Sequence, residues 1–100
     1  MHAIPQQQPA AAVVCGVVAG APWTRGPKHG TRYRVLASAR GLCAVAVHAV
    51  PALTRERTSA GRGFALRGPA GFHCLTPVQA VAARGSCIRP SGAFSWAPSS

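Results

Sequence analysis

The chain has 100 residues, with ten Arg, one Lys and a single acidic side chain, Glu56, for a formal net charge of +10. Chemistry that needs several carboxylates is therefore excluded: paired-acid glycoside hydrolysis, calcium loops and two-metal phosphoryl transfer. The 48% hydrophobic content and mean hydropathy of +0.16 overstate the supply of core, because twenty of those residues are Ala and only twenty are Leu, Ile, Val or Phe.

Residues 1–24 carry no charge, and Ala10–Ala21 reads AAAVVCGVVAGA. Val17 and Ala19 suit the small positions before a signal-peptidase cut, but Gln6, Gln7 and Gln8 stand where a basic leader would be. The segment reads as a flexible Ala/Val/Pro/Gln-rich N-terminus, and its apolar stretch Ala10–Ala21 is too short to span a bilayer, which takes about 20 apolar residues.

Residues 25–53 combine a basic block with an apolar segment. The cations are Arg25, Lys28, Arg32, Arg34 and Arg40, interspersed with Trp23, His29 and Tyr33. Thr31–Leu36 alternates as a half-buried strand does. Val35, Ala39, Leu42, Cys43, Ala46, Val47 and Val50 also recur at intervals of three and four, which predicts a helix over about 35–50, stopped by Pro51. The helix is the preferred assignment.

Residues 54–73 read as an Arg/Gly-rich linker holding Arg55, Arg57, Arg62 and Arg67, punctuated by Gly61, Gly63, Gly68, Pro69 and Gly71. Within it GRGF and RGPAGF suit RNA, since guanidinium pairs with phosphate and Phe stacks on bases, although biased composition alone also yields a solvated loop of this kind. In residues 74–100, Thr76, Pro77 and Gln79 have capping-box spacing and Gly85 can close the end, predicting a short helix over 77–84, followed by an irregular Ser/Pro-rich tail.

Cys15, Cys43, Cys74 and Cys87 allow two disulfides in three pairings in an oxidising compartment, or reduced thiols, and the sequence does not fix their redox state. A zinc site from Cys43, His48, His73, Cys74 and Cys87 lacks any CxxC spacing, and Cys43 with His48 forms no known nucleophile motif. No metal, cofactor or catalytic residue is assigned, and an enzyme is the least favoured class.

The expected fold class is thus largely irregular and disordered, with one or two short α-helices at about 35–50 and 77–84 and no globular fold. No biochemical activity can be assigned from these residues. Ala, Gly, Pro and Arg make up 50 residues, all from GC-rich codon families, which fits the product of an alternative or recently arisen reading frame. Two other functions compete. One is an Arg-rich protein that engages nucleic acid or acidic proteins through Arg25, Lys28, Arg32, Arg34, Arg40, Arg55, Arg57, Arg62 and Arg67, with Trp23, Tyr33 and Phe64 stacking, favouring the nucleus or nucleolus. The other is a membrane-associated or organelle-targeted peptide that uses Ala10–Ala21 and Leu42–Leu53, pointing to mitochondrion or secretory pathway.

Overall fold

From Val13 onward the N-terminal segment expected to be flexible forms a strand, while residues 1–11 lie outside the described part. In the computed structural model, which describes residues 12–60, 65–66, 68–76 and 83–99, β1 (Val13–Arg25) and β2 (Lys28–Ala37) form a long antiparallel hairpin. Its turn needs a positive φ, which Gly26 supplies at +63°. A second hairpin joins β5 (Gly85–Arg89) to β6 (Gly92–Ser99), and β6 pairs with β2 to unite the two halves of the chain. The short strands β3 (Ala65–Leu66) and β4 (His73–Leu75) complete one antiparallel sheet of order β1-β2-β6-β5-β4-β3.

Between the hairpins, a 3-10 turn (Arg40–Leu42) leads into α1 (Cys43–Ala60), which packs on one face of the sheet. The strand periodicity wins over Val35–Ala37, so the helix begins later than the predicted residue 35. It also runs through Pro51. Pro51 gives up one helical hydrogen bond, but Ala46, Val50 and Leu53, at helical spacing, are fully buried against the sheet and hold the helix together.

The expectation of a disordered chain is overturned. The radius of gyration is 13.6 Å, matching the roughly 13 Å of a folded chain of this length rather than the roughly 30 Å of an unfolded one. Few aliphatic residues are needed because the aromatics concentrate in one place. Trp23, Tyr33, Phe72, Phe94 and Trp96 are all buried, with Phe72 edge-on to Phe94 at 5.1 Å between centroids. Residues 54–60, expected as linker, extend the helix, and the tail expected to be irregular is the β5–β6 hairpin. Of the helix expected over 77–84, Ala83 and Arg84 are non-helical and residues 77–82 lie outside the described part.

The cysteines are paired, not reduced. Cys15–Cys43 ties the start of β1 to the first residue of α1, and Cys74–Cys87 links directly opposed residues of β4 and β5. For sequence separations of 28 and 13 residues, the chain-entropy argument assigns them about 3.5 and about 3 kcal/mol. Staples of this size supplement the modest core of a small basic chain.

Candidate functional site

Side chains alternate across a sheet, so the helix that covers one face leaves the other open. On β2, Tyr33, Val35 and Ala37 are buried beneath α1, while Arg32 and Arg34 are exposed on the opposite side. Register sets Arg32 beside Ala19, and Arg34 between Val17 of β1 and Ala97 of β6. Farther along the hairpin, past the end of the β2–β6 pairing, Arg25 faces Lys28 across the turn, and both are exposed with His29 next to them. Trp23 secures this projecting arm: its ring packs on Gly30, and its Nε1 donates to the Arg32 carbonyl at 3.0 Å.

The structure thus gathers Arg25, Lys28, Arg32 and Arg34 on one hairpin. It does not bring Arg40 or Arg55 to them: Arg40 is exposed in the 3-10 turn beyond the other end of β2, and Arg55 is exposed on α1, across the sheet from the open face. Arg57 belongs to α1, with its side chain undescribed, and Arg62 and Arg67 lie outside the described residues. The stacking expectation is corrected as well. Trp23 is 3% and Tyr33 1% exposed, so neither ring can receive a base, and Phe64 is outside the described residues.

The open face is concave. A groove of about 490 Å³ has Leu36, Leu75, Ser86 and Ser95 along it and Arg34 and Arg84 at its walls. A second hollow of about 300 Å³ adjoins it, sharing Leu36, Ser86 and Ser95 and adding Ile88 and Ala93. Leu75 and Ile88 remain 52% and 53% exposed. Thr76 and Trp96, both buried, also line the larger groove, and neither the Thr76 Oγ1 nor the Trp96 Nε1 has a hydrogen-bond partner. Arg84 was missed by sequence reasoning, which placed it at a helix end. Only the β2–β6–β5 pairing brings residue 84 to the groove of residue 34, and no local pattern signals that.

Both disulfides consume their thiols, so Cys43 is no nucleophile, and Cys43, Cys74 and Cys87 are not thiolate ligands. Among the described residues, no group of three His, Cys, Asp or Glu is placed to hold a metal ion, and no helix is long and apolar enough to cross a membrane. The Leu42–Leu53 apolar run spends its buried side chains on the core. No protein-family model, curated protein or solved structure matches the chain.

Proposed function

We propose that the chain is a non-catalytic binding domain that docks an acidic protein segment on its β1–β2 hairpin. The observation that carries this reading is the exposed row Arg25, Lys28, Arg32 and Arg34, in a chain whose one acidic side chain, Glu56, lies on α1. Among the described residues no carboxylate lies beside these cations on the hairpin, which leaves them open to a partner's counter-charge. Two features favour protein over nucleic acid. Val17, exposed beside Arg34, is aliphatic, and the large Trp23 and Tyr33 rings are buried, with the His29 imidazole the exposed ring next to the row. β1 is the edge strand of the sheet formed by the described residues, and its outer backbone can receive an extended segment as an added strand. Disulfides form in oxidising surroundings, so such a partner would share an oxidising compartment with the chain.

Fluorescence anisotropy with a labelled Glu/Val-rich peptide, a DNA duplex and single-stranded RNA of matched charge tests the reading. The peptide should bind more tightly than either nucleic acid at about 150 mM salt, and the double substitution Arg25→Gln with Lys28→Gln should weaken it. Tighter binding of duplex or RNA would replace the protein partner by a nucleic-acid one. Loss of all binding at that salt concentration would refute a docking role for the hairpin.

A further inference from the structure

We infer that the helix-free face carries a second binding site, for an aliphatic monocarboxylate whose head group meets Arg34 and Arg84 and whose chain lies along Leu36, Leu75 and Ile88. The site shares Arg34 with the hairpin row but lies away from the Arg25–Lys28 tip, and it does not rest on the acidic-segment reading.

The floor of the groove comes from β2, β6, β5 and β4, which are consecutive in the sheet. The inner strands have neighbours on both sides, so their backbone N–H and C=O groups are committed to the ladder. A peptide laid across them would bury amides that find no partner, at a cost that counts against it. A hydrocarbon chain has no such groups. Crossing three strand spacings gives a length of about 14 Å, enough for a chain of roughly ten carbons. The floor has the matching character: leucine and isoleucine side chains exposed beyond half their area, separated by small Ala93, Ala97, Ser86 and Ser95.

Charge then selects the head group. Among the described residues, the polar side chains of the groove are donors or hydroxyls: the Arg34 and Arg84 guanidinium groups, Ser86, Ser95 and Thr76. The buried Thr76 hydroxyl, a lining residue, has unspent hydrogen-bonding capacity. A donor-rich rim with no acid accepts an anion and disfavours an amine or a second copy of this chain, which would bring another +10 against it. An anion with an apolar body fits both halves of the surface.

Titration calorimetry with straight-chain alkanoates of increasing length, kept below micelle formation, tests the site. Affinity should rise about fourfold per added methylene until the floor is covered. The alkanol of equal length should bind at least about tenfold more weakly, as should the alkanoate to R34Q or R84Q, both exposed positions where folding is not at stake. A bromine on the chain should quench Trp96. Affinity independent of chain length, equal binding of the alkanol, or an unchanged R84Q would each overturn the proposal. An oligo-glutamate peptide that competes for Arg84 and binds more tightly than any alkanoate would assign the groove to acidic peptide instead. The two sites are separable, because Arg25→Gln with Lys28→Gln should leave alkanoate binding intact, whereas R84Q should leave hairpin binding intact.

Discussion

Thr54→Val tests how the helix is fastened to the sheet. The β1–β2 register runs from Ala19 opposite Arg32 to Trp23 opposite Gly30, which leaves Ala21 in a bulge without a ladder partner. Side chains satisfy its backbone instead. The Ala21 N–H donates to Thr54 Oγ1 at 3.0 Å, and its carbonyl accepts from the Tyr33 hydroxyl at 2.7 Å. Ala21, Tyr33 and Thr54 are all buried, so water cannot replace either bond. Thr54 Oγ1 also donates to the Pro51 carbonyl at 2.7 Å, in the helical turn that follows the proline. Valine keeps the shape and removes the oxygen, orphaning a buried N–H at a cost of about 1–3 kcal/mol. At roughly 5 °C per kcal/mol for a domain of this size, Tm should fall by about 5–15 °C. Thermal melting followed by far-UV circular dichroism measures the shift, and amide exchange at Ala21 should accelerate selectively. A Tm within about 2 °C of the parent, with Ala21 still protected, would refute the bulge-clamp reasoning.

Three further outcomes follow from the packing. Mild reductant should open Cys15–Cys43 before Cys74–Cys87, because the first pair is half-buried and the second fully buried; alkylation and mass spectrometry give the order. Gly85→Val should unfold the β5–β6 hairpin or lower stability by more than about 2 kcal/mol, since a Cβ there would strike the Trp96 ring and the Leu75 carbonyl; chemical denaturation reads the loss. Trp23→Phe should loosen the hairpin arm while leaving the β2–β6 pairing intact, because it removes the bond to the Arg32 carbonyl at 3.0 Å; faster amide exchange confined to residues 23–31 would show it.

The sequence speaks clearly where order is local. The Thr31–Leu36 alternation is a strand with Tyr33 and Val35 buried and Arg32 and Arg34 exposed, and the cation row it implies is the one the hairpin displays. It misleads where two periods overlap. Val35 fits both a strand and a helix, and pairing of β2 decides for the strand, through Gly16 of β1 on one side and the sequence-distant Trp96 of β6 on the other. Pro51 is a helix breaker in isolation, yet burial of Val50 and Leu53 on either side outweighs the lost bond. The largest misjudgement concerns core volume. Counting Leu, Ile, Val and Phe leaves out Trp23, Tyr33, Trp96 and both disulfides, and these make the difference between collapse and a packed sheet. The groove has no local signature, because Arg34 and Arg84 meet only after the C-terminal hairpin docks on the N-terminal one.

The same charge imbalance fixes the sign of the salt response. A domain held by ion pairs loses stability as salt screens them. Here eleven Lys and Arg face one Glu in the whole chain, so attraction between side chains is limited to what Glu56 can provide. Repulsion among the cations is correspondingly widespread: Arg25 lies across the turn from Lys28, and Arg32 and Arg34 sit two residues apart on one face. The buried contacts that oppose this repulsion, Phe94 against Phe72 and the two disulfides, carry no charge and are indifferent to moderate salt. The Debye length shrinks from about 30 Å at 0.01 M to about 10 Å at 0.1 M salt, so the repulsion should fade over that range. Tm should therefore rise as sodium chloride is added, with most of the gain complete by about 0.2 M. Replacing Arg32 by Gln should raise Tm at low salt and have less effect at high salt. A Tm that falls with salt would mean that attraction at Glu56 outweighs the self-repulsion of the hairpin cations.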